Sequence, residues 1–434
     1  MSPKIVTRMA PSPTGLFHIG SVRTTLYNYL YAKQNNGKFI LRIEDTDKER
    51  SKKEFEDDII ESFKWLGLTY DEFFRQSERT DLYKKNLQKL IDENIAYISK
   101  EEIKEEGDRS EVIRFKNPNK KIKFNDLVLG EIEVDTTDLK DFVIAKDLET
   151  PLYHFAVVVD DITMGITHVI RGQDHVSNTA RQILILEALG GERPEYAHIP
   201  LILSPDKQKL SKRHGAMATL EYRDLGYLPQ AILNFLALIG WNPGTEKEIF
   251  TLDELLKEFS LEKVQKSGGV FNIEKLNWIN KEHIKLLPIV EIEKNILEWL
   301  PENMREVKLV PVILERISKW GDIKDMVARG ELDLFFKAPD INKEKLTFKS
   351  VSVEKIKNNL ELAIKALIEL EENNFSQENI KDSLMKLADT MESRGELLHP
   401  VRYALSGVDK SPDPFIIASI IGKNETISRL QKAI

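Results

Sequence analysis

The chain has 434 residues, of which 41% are hydrophobic and 31% charged, a balance typical of a globular protein with more than one domain. It contains no cysteine, which excludes disulfide bonds and thiolate metal sites. The net charge of −8 does not indicate nucleic-acid binding, yet it does not exclude local basic patches. The longest apolar stretch, AILNFLALIGW, is too short to span a bilayer, and no secretory signal is evident. We expect a soluble, cytoplasmic protein.

The first segments alternate between strand and helix patterns. KIVTRMA predicts a buried strand, SVRTTLYNYLYAKQ a helix, KFILRIE a second strand and residues 51–66 a second helix. This βαβ rhythm is typical of a doubly wound parallel sheet. Because such sheets bind nucleotides at the carboxyl ends of their strands, the loop after KIVTRMA is a candidate site.

From about residue 95 to 151 the pattern changes. EVIRFKNPNKKIKFNDLVLGEIEVD alternates apolar and polar residues around an Asn-Pro-Asn turn, which predicts antiparallel strands. YHFAVVVDD, THVIRG and HIPLIL then predict further strands, and SNTARQILILEALG predicts a helix. We therefore expect an α/β fold in which a small α+β insertion splits a Rossmann-type doubly wound parallel sheet.

Strand patterns are no longer evident after Thr219, and segments such as VEKIKNNLELAIKALIELEE have helical periodicity. We predict a catalytic domain in two halves, an insertion between them, a signature loop with a helical stem-contact domain, and an all-α region. The respective ranges are 1–94 and 152–203, 95–151, 204–290, and 291–434.

The loop RMAPSPTGLFHIGS joins the first strand to the first helix. Its two prolines stiffen it, and Gly15 and Gly20 let a ligand approach the backbone. The N-terminus of the helix attracts phosphate, and His18 can donate to a phosphate oxygen. An ordinary turn capped by His18 explains the same residues, so both interpretations stay open at this point.

A second segment, SPDKQKLSKRHGA, is rich in cationic side chains between Lys207 and Arg213. A solvated charge run is the ordinary interpretation of such a tract. The functional interpretation is a mobile loop whose lysines close on a polyphosphate and stabilise the charge that develops on it.

Together the two segments resemble the class I aminoacyl-tRNA synthetases. FHIGS is similar to their HIGH signature, with Ser21 in place of the last histidine, and KLSKR is similar to their KMSKS loop. Longer stretches resemble the glutamyl-tRNA synthetases: APSPTG, LRIEDTDKERS, WLGLTYDE, RQSERTDLY, VIRGQDHVSNT, LPQAILNFLALIGWNPG and FNIEKLNWIN. The resemblance is weaker beyond about residue 280. It implies that a monomer uses ATP and Mg²⁺ to attach L-glutamate to tRNA-Glu, with an anticodon-binding C-terminal region.

The resemblance also implies roles for individual residues. Arg8 and Arg171 would bind the side-chain carboxylate of the substrate, because a guanidinium pairs with a carboxylate better than with an amide. Glu44 would hold the α-ammonium group, and an ion pair with Arg42 or Lys48 is the structural alternative. The other implied contacts are Ala10, Ser12 and Tyr153 for the amino acid, and His18, Gly20, Asp174, Ile202, Lys209 and Lys212 for ATP.

His18, Lys209 and Lys212 would be the catalytic residues, because they can place hydrogen-bond donors around the phosphate in the transition state. Two positions depart from the pattern of the family. Gln173 stands where an acidic residue is common, and Val157 stands where some relatives have an asparagine that contacts glutamate. The second contact is therefore not carried over.

Three histidines match no motif and are interpreted as strand or surface residues: His154, His168 and His198. The segment at residues 96–115 lacks the cysteines of the zinc knuckle that some bacterial relatives carry there. We therefore expect no zinc and no other structural metal.

Several alternatives remain at this stage. A glutaminyl-tRNA synthetase is disfavoured by Arg171 and by the helical C-terminal texture. A truncated relative that glutamylates a modified tRNA base lacks the C-terminal region. A catalytically silent tRNA-binding paralogue is expected to have lost His18 or the loop lysines. A generic nucleotidyltransferase explains His18 and Gly20 but not the arginines. Whether tRNA-Gln is also charged stays open.

Overall fold

The computed structural model describes residues 4–102, 110–210, 217–349 and 351–434. The chain divides into two compact units, Met1–Leu286 and Leu287–Ile434. The described strands are β1 (Val6–Met9), β2 (Lys38–Ile43), β3 (Glu72–Arg75), β4 (Ala96–Lys100), β5 (Glu111–Phe115), β6 (Lys121–Asp126), β7 (Gly130–Asp135), β8 (Phe142–Asp147), β9 (Thr150–Pro151), β10 (His168–Gly172), β11 (Glu195–Ile199), β12 (Ile202–Leu203) and β13 (Gly269–Val270). They all lie in the first unit.

The α-helices of the first unit are α1 (Ile19–Gln34), α2 (Lys53–Leu66), α3 (Thr80–Asp92), α4 (Tyr153–Thr163), α5 (Val176–Leu189), α6 (Thr219–Asp224), α7 (Pro229–Leu238), α8 (Leu252–Glu258) and α9 (Ile273–Lys285). Those of the second unit are α10 (Ile289–Trp299), α11 (Val310–Arg316), α12 (Asp322–Ala328), α13 (Val353–Ile368), α14 (Gln377–Ala388), α15 (Gly395–Ser406), α16 (Pro414–Ile421) and α17 (Lys423–Ala433). The helical C-terminal region expected from the sequence is thus confirmed. The five-part division is finer than these two units and stays a prediction.

Parallel strands form the centre of the first unit. β2 pairs with both β1 and β3, and β10 pairs with β11. The backbone N–H of Thr167 donates to the carbonyl oxygen of Val6 over 3.0 Å, which brings β10 alongside β1. The resulting order, β3-β2-β1-β10-β11, is that of a doubly wound fold, whose strand order reverses beside β1.

Both faces of this sheet are covered. On β2, Phe39, Leu41 and Ile43 belong to one hydrophobic core, whereas Ile40 belongs to another core formed largely by α3, α4 and α5. Alternate residues of a strand face opposite sides of the sheet, so β2 is buried from both sides, as in parallel α/β proteins. The Rossmann-type fold class expected from the sequence is confirmed.

The inserted segment divides between two sheets. β4, β5, β8 and β9 form a separate antiparallel sheet, and β6 and β7 form an antiparallel hairpin. This hairpin extends the central sheet, because Asp126 at the end of β6 pairs with Tyr196 of β11. A residue of the insertion thereby reaches the sheet that carries the cleft.

Three predictions about secondary structure are wrong. YHFAVVVDD is not a strand but helix α4, whose residues 155–161 are all buried. An apolar run buried on every side has no amphipathic period, so the pattern cannot separate strand from helix. HIPLIL divides at Pro200 into β11 and β12, and the short strand β13 lies beyond Thr219, where no strand was expected.

AILNFLALIGW forms the buried helix α7, as expected. Among the described residues, no helix has the length and apolar character needed to cross a membrane.

Candidate active site

A cleft of about 630 Å³ opens at the carboxyl ends of β1, β2 and β10. The predicted site residues that the structure describes all line it: Arg8, Ala10, Ser12, His18, Gly20, Glu44, Tyr153, Arg171, Asp174, Ile202 and Lys209. Lys212 lies outside the described residues. Residues up to 201 positions apart in the chain, Arg8 and Lys209, therefore share one cavity.

The loop after β1 is tied down by the segment that follows β2. The backbone N–H of Glu44 donates to the carbonyl oxygen of Pro11, and that of Lys52 donates to Pro13, each over 3.0 Å. The N–H of Phe17 donates to Asp58 over 2.6 Å. The stiff prolines and these bonds hold one wall of the cleft in place.

A buried charge network forms one end of the cleft. Arg8 donates to both carboxylate oxygens of Asp161 at 3.2 and 3.3 Å. Arg42 donates to Asp161 over 2.8 Å and to Glu44 over 3.1 Å. All four side chains are at most 7% exposed. Fully paired buried charges of this kind hold their geometry, because breaking one pair leaves an uncompensated charge.

Asp160 supports the network from behind. It accepts hydrogen bonds from Arg79 at 2.7 Å, from Gln76 at 2.9 Å and from the Tyr83 hydroxyl. Asp160 and Asp161 both lie on α4, and sequence reasoning assigned neither a role. Two adjacent acidic residues at the end of an apolar run were the available signal, since carboxylates are buried only when paired.

The pKa values of two carboxyl groups in this network are shifted in opposite directions. Burial raises the pKa of Glu44 to about 7, although Arg42 and Arg8 oppose the shift. Burial acts in the same direction on Asp161, but Arg8 and Arg42 outweigh it, so the pKa of Asp161 is lowered. Glu44 is thus a buried carboxyl whose charge has less support from the protein, and a ligand cation would stabilise it.

Arg171, on β10, lines the cleft and has one buried nitrogen without a partner among the described residues. Its Nε donates to His198 Nε2 over 3.2 Å, and its Nη2 donates to Thr179 Oγ1 over 2.8 Å. Its Nη1 is buried and has no hydrogen-bond partner among the described residues. Burial lowers the pKa of Arg171. A buried guanidinium that has an N–H group without a hydrogen-bond partner is suited to an anionic ligand, above all a carboxylate.

The opposite end of the cleft is more exposed. His18 caps α1, because its Nδ1 accepts from the N–H of Ser21 over 3.3 Å. Gly20 leaves room for this ring, since a Cβ there would lie 3.1 Å from two ring atoms. Lys209 forms an ion pair with Asp174, with Nζ 2.8 Å from Oδ2. The capping interpretation of His18 therefore describes the local geometry correctly.

Comparisons with known proteins agree with this geometry. A family profile described as "tRNA synthetases class I (E and Q), catalytic domain" matches residues 4–111 and 98–278. One described as "Anticodon binding domain" matches residues 280–434. The chain is 41% identical to glutamate–tRNA ligase 1 of Petrotoga mobilis, covering 99% of this chain and 97% of that protein. This chain belongs to the glutamate–tRNA ligase family.

Further relatives support the assignment over the full length. The glutamate–tRNA ligase of Carboxydothermus hydrogenoformans is 41% identical, with 98% of both chains covered. A crystal structure of a glutamate tRNA ligase from Elizabethkingia meningosepticum, in complex with its amino acid, superposes with a TM-score of 0.89 at 36% identity and covers 99% of each chain. A structure of the synthetase from Elizabethkingia anophelis gives 0.88 at 35% identity, with both chains fully covered. The chain is thus a class I aminoacyl-tRNA synthetase, and its similarity to the family extends over both of its units.

Within this family member, the histidines without a motif divide into three cases. His154 lies on α4, where burial lowers its pKa to about 4, and not on a strand. His168 lies on β10 and contacts the hydroxyl of Tyr31. His198 lies on strand β11, is fully buried, and contacts Arg171 through its Nε2. No spacing in the sequence connects residues 171 and 198.

The described residues contain no group of three or more His, Asp or Glu side chains that could hold a metal ion. Part of the segment where some relatives carry a zinc knuckle, residues 103–109, lies outside them. The expectation that zinc is absent therefore stays a prediction.

Proposed function

We propose that this chain is a glutamate–tRNA ligase that joins L-glutamate to tRNA-Glu in two steps at the cleft. The proposal depends on one observation. The buried guanidinium of Arg171, with Nη1 unpartnered among the described residues, and the buried carboxyl of Glu44 line the same cavity. Glutamate has two carboxylates and one ammonium group. Arg171, with Arg8, fits the side-chain carboxylate, and Glu44 fits the ammonium.

In the first step, an oxygen of the glutamate α-carboxylate attacks the α-phosphorus of ATP. A bond forms between that oxygen and phosphorus, the bond to the β-phosphate bridging oxygen breaks, and diphosphate leaves. The carboxylate is already ionised at neutral pH, so no general base is required. The protein contributes by holding the reactants in place and by stabilising charge on the phosphate.

In the second step, a ribose hydroxyl of the terminal tRNA adenosine attacks the carbonyl carbon of the adenylate. The ester bond forms, the bond from the carbonyl carbon to the phosphate oxygen breaks, and AMP leaves with that oxygen and accepts the proton that the ribose hydroxyl gives up. The buried network can hold the amino acid in one position through both steps, because its side chains are fixed by ion pairs with one another.

His18 and the loop lysines are suited to the phosphate end. Burial lowers the pKa of His18, assisted by Lys209 and opposed by Asp174, which favours a neutral ring at pH 7. Because Nδ1 accepts from the N–H of Ser21, the proton lies on Nε2, where a phosphate oxygen can replace the Ser21 hydroxyl as the acceptor. Lys209 must exchange Asp174 for the phosphate. Mg²⁺ would come with ATP on its phosphates, and we assign it no protein ligand.

We propose that the helical second unit binds the anticodon loop and that the enzyme acts as a cytoplasmic monomer. For binding of the anticodon loop, support comes from the profile match at residues 280–434. Glutaminyl-tRNA synthetase is the alternative function, and the buried guanidinium of Arg171 disfavours it. Whether tRNA-Gln is a second substrate is part of the test.

The test is aminoacylation with glutamate and glutamine on tRNA-Glu and tRNA-Gln. We expect the wild-type enzyme to use glutamate and tRNA-Glu. Arg171→Ala should lower kcat/KM for glutamate by about 30-fold to 5000-fold, because a buried charge that loses its partner costs about 2–5 kcal/mol. Its KM for ATP should stay close to the wild-type value. Arg193→Ala, which removes an exposed arginine, is the matched control.

An Arg171→Ala enzyme with unchanged kinetics for glutamate would refute the site assignment. Charging of glutamine in preference to glutamate by the wild-type enzyme would refute the proposed substrate.

A further inference from the structure

Three buried side chains form a continuous line of hydrogen bonds behind the cleft. Asp126 Oδ2 lies 2.6 Å from His198 Nδ1, and His198 Nε2 lies 3.2 Å from Arg171 Nε. Asp126 is 2%, His198 0% and Arg171 6% exposed. The three side chains are therefore largely shielded from solvent, and we call these residues the Asp126–His198–Arg171 chain.

The direction of each hydrogen bond in this chain is determined by its two ends. An ionised carboxylate only accepts, so Nδ1 of His198 must carry a proton. A guanidinium only donates, so Nε2 of His198 must offer its lone pair to Arg171. Only the neutral imidazole with its proton on Nδ1 satisfies both partners. Burial lowers the pKa of His198, which agrees with a neutral ring, and the hydrogen bond to Asp126 opposes that shift.

We propose that Asp126 and His198 are positioning residues that orient the guanidinium of Arg171 toward the side-chain carboxylate of the amino-acid substrate. This inference rests on the proposed role of Arg171 in binding glutamate. With Nε held by His198 and Nη2 held by Thr179, the group cannot rotate, and Nη1 is the nitrogen left for the ligand. Asp126 does this from the inserted segment, 72 residues before His198.

The surroundings of Asp126 provide a sharp test of the tautomer. Its Oδ1 accepts from the backbone N–H groups of Val128 at 3.0 Å and of Leu129 at 2.9 Å. In an Asp126→Asn variant these two donors select the amide oxygen, so the amide nitrogen must face His198 Nδ1. The imidazole then has to accept at Nδ1 and carry its proton on Nε2. The N–H at Nε2 would then oppose the Nε–H of Arg171, with the Thr179 hydroxyl oxygen, 3.1 Å from Nε2, as the nearby acceptor, so the guanidinium would be displaced.

For Asp126→Asn we expect KM for glutamate to rise about 10-fold to 100-fold, the usual consequence of displacing a group that positions substrate. KM for ATP should change far less. The ¹⁵N shifts of His198 should report the proton on Nδ1 in the wild type and on Nε2 in the variant. Asp141→Asn is the matched control, because Asp141 caps Asn117 N–H within the same inserted segment and is not hydrogen-bonded to His198.

A double variant separates positioning from a structural role. Glutamine has no tautomers, and its amide reaches about as far as the imidazole Nε2. Asp126→Asn should therefore cost much less in a His198→Gln background than in the wild type. Equal cost in the two backgrounds, or equal increases in KM for glutamate and ATP, would overturn the proposal.

The wild-type protein provides a test even if the variants do not fold. A His198 with its proton on Nε2, or a doubly protonated His198 at pH 7, would overturn the inference. The Arg171→Ala kinetics distinguish the two levels of the argument. An effect of Arg171→Ala on glutamate without an effect of Asp126→Asn would refute this inference alone. No effect of Arg171→Ala would refute the proposed site and this inference with it.

Discussion

The two ends of the cleft differ in how their charges are held. At the end proposed to bind the amino acid, Arg8, Arg42, Glu44 and Asp161 are at most 7% exposed and are paired with one another. At the end proposed to bind phosphate, the Lys209–Asp174 pair has one side chain 64% and the other 43% exposed. The first arrangement resists change and suits selection of one substrate. The second can exchange partners at little cost, as binding of a polyphosphate requires.

The contrast in burial predicts the largest difference in stability. Asp161→Asn should destabilise the protein by about 3–5 kcal/mol, because it leaves Arg8 and Arg42 buried without their shared partner. The same change at Asp174 should cost at most about 1 kcal/mol, because exposed ion pairs contribute little. Hydrogen exchange of the β2 and α4 amides measures the free energy of opening directly. Similar values for the two variants would remove the distinction between the ends.

The phosphate end should instead show its effect in the rate. Lys212→Ala should slow adenylate formation by about 10²- to 10³-fold, as removal of other preorganised charge donors does. ATP affinity should change much less, because a contact made mainly in the transition state lowers kcat. Glutamate-dependent ATP–diphosphate exchange with tRNA present, beside equilibrium ATP binding, measures both.

Lys207→Ala is the control within the same cationic run, since Lys207 does not line the cleft. Equal losses of rate and affinity in Lys212→Ala would make Lys212 a simple binding contact. Normal ATP–diphosphate exchange in Lys212→Ala would favour the ordinary interpretation of the cationic segment as a solvated charge run.

The protonation of Glu44 should make the use of glutamate depend on pH. Its raised pKa of about 7 means that the carboxyl is protonated, and cannot attract an ammonium group, at lower pH. We expect kcat/KM for glutamate to fall as pH falls below 7, by about tenfold per unit, because this parameter reports the free enzyme. In Glu44→Gln this dependence should disappear together with most of the activity. A Glu44→Gln profile with the wild-type slope would assign the titration to another group.

The smallest expected effect concerns metals. The inserted segment contacts the cleft strand β11 through hydrogen bonds between Asp126 and His198. This contact requires no metal, so we expect no effect when metal is removed. We expect elemental analysis of the untagged protein to find far less than one zinc atom per chain. Stoichiometric zinc, or loss of activity on treatment with a zinc-selective chelator, would contradict this.

Sequence patterns were sufficient where function depends on local motifs. The loop after β1, the residues around Arg171 and the start of the cationic run were predicted, and their described residues line one cleft. The motif loops lie at strand ends, and the order of the elements places those ends together.

Patterns failed where a residue acts through a distant partner. Asp161 reaches Arg8 across 153 residues, and Asp126 reaches His198 across 72. No periodicity encodes such pairs. The pair of Asp161 with Arg8 was missed for a further reason. Residues of α4 were interpreted as a strand, and a strand would not place Asp160 and Asp161 together beside Arg42. The alternative pairing of Glu44 with Arg42 was anticipated, and the structure shows it beside the cleft, which Glu44 lines.

The most direct test of the central claim is a crystal structure of this protein with L-glutamate alone. We expect the side-chain carboxylate within about 3.2 Å of Nη1 of Arg171, the α-ammonium group on Glu44, and His198 still in contact with Nε of Arg171. Glutamate bound in the reverse orientation, with its α-carboxylate on Arg171, would contradict the account, as would binding that leaves Arg171 without a carboxylate partner.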